Sequence, residues 1–438
     1  MKDIQSIFFI SIFLFGIILS SCSQDSVNVI PNEETSSIDS PNILFIVADD
    51  LGKDAINGFT EGSIKPNTPN IDAIRNGGLS FDNFWTYPTC TPTRSSIITG
   101  KYGYRTGVKG AGDILDQSEI TLQKHISDNT NNNYATALIG KWHLSGNGLG
   151  ADPESFGIDY FAGLIRGVTD DYYEWKFSED GVSTEETSYA TEKFTDLSIH
   201  WVCEQSKPWF LWLAYNAPHT PFHAPPSNMH NQGNLPAYVK GLDPIPYYMA
   251  AIEAMDYQIG RLLDNIPADE RENTIIIFIG DNGTPNQVAQ SPYSSSTAKN
   301  TLYQGGVNVP MFISGNSISR LGTDDNLITS TDLFATIAEI AGSSTKEIHD
   351  SKSFKSLFTS NENSIRDYQY SEMDDGKTDA WTIGNGEYKL IVNTNGNQEM
   401  YDLVNDPYEQ NNLFDGGLTA EQESAKVALD DELLIIRN

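Results

Sequence analysis

The chain has 438 residues, of which 39% are hydrophobic and 11% aromatic, enough to bury one large core with a smaller appendage. Its 59 Asp and Glu against 27 Lys and Arg give a formal charge of -32. That balance excludes a nucleic-acid partner, whose binding rests on clustered cations that neutralise phosphates. An anionic small ligand would need a local group of basic residues to offset the global field.

At the N-terminus Lys2 precedes an apolar run from Ile7 to Leu19. This run is short of the roughly 20 residues of a membrane span and reads as an export signal. It ends in Leu19-Ser20-Ser21-Cys22, which resembles a bacterial lipobox. Residues 1–21 are therefore expected to be a lipoprotein signal peptide, with Cys22 lipidated and residues 22–40 a polar tether. The expected location is the periplasm or outer surface of a bacterial cell, with the membrane reached through that lipid.

Order is expected from residue 41. Four apolar runs, 42–50, 134–143, 209–219 and 274–283, each end in Gly, Asn, Asp, Lys or His, and a fifth covers 309–314. Continuous apolar runs predict strands buried on both faces, as in a parallel sheet. Helical spacing is read between and after them over Pro69–Asn76, Thr191–Gln205, Tyr247–Ile266 and Leu327–Ala341. In the second of these helices Cys203 is expected to be a buried apolar residue. Strands alternating with helices predict an α/β fold with a mainly parallel central sheet flanked by helices, over residues 41–360. Ligands in such folds bind beyond the carboxyl ends of the strands, where Asp49, Asp50, Lys141, His143, His219, Asp281 and Asn282 fall.

Beyond residue 360 the pattern changes. Residues 379–403 alternate apolar and polar, with Asn-Gly turns at 385–386 and 395–396, and Thr419–Ile436 reads as a helix. Residues 361–438 are thus expected to form a small C-terminal α+β subdomain with an antiparallel sheet.

Asp49-Asp50 after one strand and Asp281-Asn282 after another supply hard oxygen ligands, which suit Ca²⁺ or Mg²⁺ better than zinc. Clustered carboxylates raise one another's pKa unless a cation sits among them.

The segment Cys90-Thr91-Pro92-Thr93-Arg94, continuing to Thr99-Gly100, resembles the maturation signature of the type I sulfatases of the alkaline phosphatase superfamily. Gly140-Lys141-Trp142-His143, Ala217-Pro218-His219-Thr220-Pro221, Asp281-Asn282-Gly283 and Lys299 ahead of Tyr303-Gln304-Gly305-Gly306 match further blocks in the same order. Gln304 departs from the Glu usual there. The resemblance implies that Cys90 is oxidised to formylglycine by a maturation enzyme. It also implies one divalent cation per chain between Asp49, Asp50, Asp281 and Asn282, with position 90 completing the ligand set. Arg94 would steady the aldehyde hydrate, and Lys141 and Lys299 would balance charge on the sulfuryl group. His143 would take a proton from the hydrate and His219 would give one to the leaving alcohol.

The implied activity is hydrolysis of sulfate esters on a sulfated polysaccharide or oligosaccharide. Two other readings remain open: a phosphonate or phosphodiester hydrolase of the same superfamily, and an inactive sulfated-glycan-binding protein in which Cys90 stays a thiol. Residues 160–190, with Arg166, Tyr172, Tyr173 and Trp175, are read as a specificity segment whose rings either stack on sugar or pack. His223 is a candidate substrate contact. His125, His200, His230 and His349 are read as ordinary buried or turn histidines.

Overall fold

A computed structural model describes residues 40–146, 152–361 and 365–438. The expected signal peptide, Cys22 and nearly all of the tether lie outside the described residues. The centre is a ten-stranded sheet, in the order Gly322–Asp324, Gly78–Phe81, Met311–Gly315, Thr274–Gly280, Asn42–Ala48, Trp209–Ala214, Ala135–Lys141, Tyr160–Leu164, Trp175–Glu179 and Val182–Glu186. The four strands from Thr274–Gly280 to Ala135–Lys141 are mutually parallel, as their apolar runs predict.

Successive residues of a strand point to opposite faces, so an uninterrupted apolar run serves two cores at once. Ile43, Phe45 and Val47 enter one core with Phe210, Trp212 and Ile277, while Leu44 and Ile46 enter the other with Leu211, Leu213 and Phe278. The helices Cys90–Thr99, Leu122–Asn129 and Asp332–Ile340 cover the first face; Pro69–Asn76, Ala190–Cys203 and Ile245–Asn265 cover the second. Each fully buried aliphatic or aromatic side chain contributes roughly 1.5–3 kcal/mol. This rigid double-sided packing is what fixes the strand ends.

Three expectations change. The helix read over Leu327–Ala341 begins only at Asp332, because Ile328–Thr329 pairs as a short strand with Phe84–Trp85. The Asp332 carboxylate accepts the Thr329 N–H at 2.9 Å and closes that turn. Cys203 is exposed rather than buried. The buried stripe of its helix runs through Phe194, Thr195, Ser198, Trp201 and Val202, and Cys203 falls two turns past exposed Asp196 on the outer face. Finally, the specificity segment, expected to be loop, is mostly sheet over residues 160–186: Tyr160–Leu164 extends the parallel part, and the next two strands continue it antiparallel.

The C-terminal expectation agrees with the structure. Gln369–Asp374, Asp379–Gly384, Tyr388–Asn393 and Gln398–Asp402 form a four-stranded antiparallel sheet, turning at both Asn-Gly pairs. One face packs Ile383, Leu390 and Met400 under Leu429 and Leu433 of the helix Ala420–Arg437. Thr419 and Gln422 close a capping box at that helix's start. The other face sets Ala380, Ile391 and Tyr401 against Trp85, Leu302 and Val307 of the main body.

Candidate active site

The site is built at the carboxyl ends of the four parallel strands. Asp49 and Asp50 follow Asn42–Ala48, Lys141 ends Ala135–Lys141, His219 lies past Trp209–Ala214, and Asp281 and Asn282 follow Thr274–Gly280. Cys90, also buried, opens the helix Cys90–Thr99. Every residue singled out for metal binding or catalysis meets in this one place except that Arg94 and Asp281 are turned to each other.

The charges come in pairs. Lys141 Nζ lies 2.5 Å from Asp49 Oδ2, both with no solvent exposure. Lys299 Nζ lies 2.5 Å from Asp50 Oδ1. Arg94 donates to Asp281 Oδ2 through Nε at 3.1 Å and Nη2 at 2.8 Å, and to the Lys141 carbonyl through Nη1 at 2.7 Å. Arg94 thus anchors Asp281 and also lies within electrostatic reach of Cys90. Asp50 has a positive φ of 69° and gives its N–H to Asp281 Oδ1 at 3.0 Å. Asn282 Nδ2 donates to Asp50 Oδ1 at 2.8 Å, and the Tyr248 hydroxyl to the Asp50 carbonyl at 2.6 Å.

Two histidines flank position 90. His143 Nδ1 is 3.1 Å from Cys90 Sγ and 3.2 Å from Thr91 Oγ1. Burial, reinforced by Lys141 and Arg94, holds His143 well below the usual histidine range, so it is neutral and able to accept a proton. His219 Nδ1 donates to the Thr220 carbonyl at 2.6 Å, leaving Nε2 3.6 Å from Asp50 Oδ2. Burial also lowers His219, against the pull of Asp50 and Asp49.

The carboxylates show the strain expected of an acidic cluster. Burial would raise Asp50, but His219, Lys299 and Lys141 outweigh it and bring it to about 2. Asp281 is pushed up to about 6 by burial and by Asp49, against Arg94 and Lys141. Burial also pushes the Cys90 thiol up.

The residues fit a bound divalent cation. Asp49 Oδ1 and Asn282 Oδ1 are buried without a hydrogen-bond partner among the described residues, at a cost of about 1–3 kcal/mol each if left so. Ligand atoms of Asp49, Asp50 and His219 lie within 4.8 Å of one another. Asp281 Oδ1 has accepted one N–H and keeps a lone pair. Unpaired hard oxygens converging in a dry pocket are the donor set of Ca²⁺ or Mg²⁺.

A family comparison decides the relationship: the sulfatase model matches residues 41–343. The chain belongs to the sulfatase family. The C-terminal model of N-sulphoglucosamine sulphohydrolase matches residues 297–437 of this sulfatase. Arylsulfatase J of Mus musculus is 27% identical over 337 residues, 71% of this chain and 54% of that protein. The uncharacterized sulfatase YdeN of Escherichia coli is 28% identical, and the chain spans 64% of it. A sulfatase of Formosa agariphila is 27% identical across 93% of this chain and 89% of that protein. Among solved structures, Ps i-CgsB in complex with k-i-k-neocarrahexaose superposes with a TM-score of 0.74 at 25% identity, covering 90% of this chain and 91% of that one. Acidic metal sites are general in sulfatases, and this one has a candidate.

The specificity segment divides between packing and exposure. Tyr172 is buried, its hydroxyl donating to the Asn216 carbonyl at 2.7 Å and the His219 carbonyl at 2.8 Å, so it fixes the His219 loop. Trp175 packs on Phe194. Arg166 is exposed. His223 stacks on Tyr172 at 3.7 Å and meets the Tyr189 hydroxyl at 3.1 Å, and burial brings it to about 4; it belongs to this aromatic stack. Sequence reasoning missed Gly167. A Cβ there would lie 2.0 Å from His143 Nε2, so the ring rests against a bare backbone. No sequence pattern marks that contact.

Proposed function

We propose that the chain hydrolyses sulfate esters on a sulfated carbohydrate, using a formylglycine made from Cys90 and a bound divalent cation. The observation that carries this is Cys90 Sγ beside His143 Nδ1 at 3.1 Å, in a buried pocket where three carboxylates face three cationic side chains. Sγ stands where the hydroxyl oxygens of a formylglycine hydrate would be. Such a hydrate supplies one hydroxyl to attack sulfur and a second to expel sulfate, which divides a hard displacement into two easier steps. A cation, held by Asp49, Asp50, Asp281 and Asn282 with position 90, supplies Lewis acidity toward a hydroxyl and a sulfate oxygen; Ca²⁺ or Mg²⁺ suits these ligands.

The chain's own groups do the rest. His143, neutral and in hydrogen-bond reach of position 90, takes the proton released as sulfate departs. His219, its Nδ1–H held by the Thr220 carbonyl, presents Nε2 to the pocket; in the imidazolium form, which Asp50 at 3.6 Å favours, the Nε2–H would pass its proton to the leaving alcohol. Lys141 and Lys299 sit where negative charge accumulates on the sulfuryl oxygens. Arg94 holds Asp281 in place and, close enough to Cys90 to interact with its charge, would steady the hydrate.

A carbohydrate substrate is supported by the likeness to a structure that holds k-i-k-neocarrahexaose. Export and lipid anchoring are supported by the apolar run Ile7–Leu19 and Cys22, and would bring the enzyme to large extracellular glycans. The test is the mass of the peptide containing Cys90, together with turnover of 4-nitrophenyl sulfate and 4-nitrophenyl phosphate. Aldehyde mass with preference for the sulfate ester supports the proposal. A persistent thiol without turnover points to a glycan-binding protein, and preference for phosphate esters points to the phosphoryl-transfer reading.

A further inference from the structure

The oxygen ligands assigned to the cation come from two turns on neighbouring strands. Asp49 and Asp50 follow Asn42–Ala48, and Asp281 and Asn282 follow Thr274–Gly280. The ladder between these strands ends with Ala48 opposite Gly280. Just beyond it the Asp281 N–H reaches the Ala48 carbonyl at 3.1 Å. The next links, the Asp50 N–H to Asp281 Oδ1 and Asn282 Nδ2 to Asp50 Oδ1, fall on carboxylate oxygens that a cation would also claim.

A further link lies outside the ligand set. Thr284 Oγ1 accepts the Gly52 N–H at 3.2 Å and donates to Asp54 Oδ1 at 2.5 Å. Asp54 Oδ2 accepts the Gln290 N–H at 2.8 Å, and the Thr284 carbonyl accepts the Lys299 N–H at 3.2 Å. One threonine therefore joins the first turn, the second turn and the segment that carries Lys299. Asp54 and Thr284 are 1% and 0% exposed. A Cβ at Gly52 would lie 2.6 Å from Thr284 Oγ1 and 2.8 Å from Asp54 Oδ1, so only a bare backbone lets the three groups meet.

Asp54 is fixed from its other side as well. Its loop is drawn around the Lys65 ammonium, which donates to the Ile56 carbonyl at 2.7 Å, the Lys53 carbonyl at 3.1 Å and the Glu61 carbonyl. Gln290 Nε2 holds the Asp54 carbonyl at 2.9 Å. A buried carboxylate met by two neutral donors is a poor source of stability, because desolvation opposes it. Its place between two ligand turns gives it another use. Bound metals tolerate ligand displacements of only about 0.2 Å, so the spacing of the turns governs affinity.

We propose that Thr284 and Asp54 are positioning residues for the cation, holding the Asp49–Asp50 turn at its working distance from the Asp281–Asn282 turn. This rests on the cation reading above. Without the Thr284 hydroxyl, the Gly52 N–H and Asp54 Oδ1 lose their common partner and the first turn can drift from the second.

The test is calorimetric titration of calcium, and separately magnesium, into the chelator-stripped full chain. Wild type is compared with Thr284→Val, Thr284→Ser, Asp54→Asn and Thr336→Val. Thr336 is a matched control, equally buried in the helix Asp332–Ile340. Its hydroxyl accepts the Phe354 N–H at 3.1 Å and donates to the Asp332 carbonyl at 2.7 Å. Thr284→Val is expected to weaken binding by about 10–100-fold, the order usual for outer partners of a metal site. Asp54→Asn, which sets an NH2 against one of its two donors, should weaken it too and carries the test if the valine variant misfolds. Thr284→Ser keeps the hydroxyl and should bind as the parent does, as should Thr336→Val. Parent affinity in Thr284→Val or Asp54→Asn, once a thermal melt shows the variant folded, would overturn the proposal. So would an equal loss in Thr336→Val. A wild type that binds neither ion sinks the cation reading itself, a result distinct from both.

Discussion

Lys141 Nζ and Asp49 Oδ2 lie 2.5 Å apart with neither side chain reaching solvent. Removing one partner of such a pair leaves an uncompensated buried charge, at a cost of about 3–5 kcal/mol. Lys141→Met is expected to lower stability by that amount in chelator. Calcium should restore part of it, because the cation then faces the bare carboxylate and ligand binding stabilises the folded state. Thermal melts with and without calcium check this; a variant indifferent to calcium would remove Asp49 from the ligand set.

Cys90→Ala should abolish sulfate-ester turnover and leave the melting temperature within a few degrees of wild type. The residue lines the pocket at the first turn of its helix and forms no part of the strand packing. Turnover close to that of the parent chain would eliminate the formylglycine mechanism.

Gly167→Ala places a methyl group where the His143 ring now stands, 2.0 Å from Nε2. The imidazole must swing away from position 90, and a misplacement on the order of 1 Å can cost about 10²-fold in rate. Steady-state kinetics should show kcat falling by that order with KM little changed. Normal kcat would show that the ring has room to yield.

Asp256 offers a pH test away from the catalytic pocket. Its carboxylate, 2% exposed, accepts the backbone N–H groups of Asn70 and Ile71 at 3.0 and 2.7 Å and so holds the start of the helix Pro69–Asn76. Burial, aided by Asp72, outweighs these donors and raises it from 3.8 to about 6. The folded state therefore binds this proton more tightly than the unfolded chain. The associated stability is fully present below about pH 4 and is lost as pH rises to about 6, a change of about 3 kcal/mol. Denaturant melts across that interval should show the wild type falling relative to Asp256→Asn; parallel profiles would contradict the assignment.

The site was legible where chain order and strand geometry coincide. Asp49, Asp50, Lys141, Asp281 and Asn282 could be placed because each ends, or directly follows, an apolar run long enough to be a buried strand. The antiparallel sheet was legible from its Asn-Gly turns, which set register locally. Contacts between distant segments were not. Gly167 against His143 and the Tyr172 hydroxyl on the His219 loop depend on how separate loops fold back over the sheet. Cys203 was misjudged because a small apolar residue gives no hint of which helix face it occupies. The start of the helix at Asp332 was hidden by the apolar Leu327 and Ile328, which suit a short strand as well as a helix.

The pairing of Asp49, Asp50 and Asp281 with Lys141, Lys299 and Arg94 leaves these six groups electrically neutral before any ion enters. A divalent guest would turn the pocket into a positive island inside a molecule of charge -32. An incoming ester would be repelled at long range and drawn in only at close quarters. Added salt screens the outer field while hardly reaching the desolvated interior. Capture of small sulfate esters should accordingly quicken as ionic strength rises.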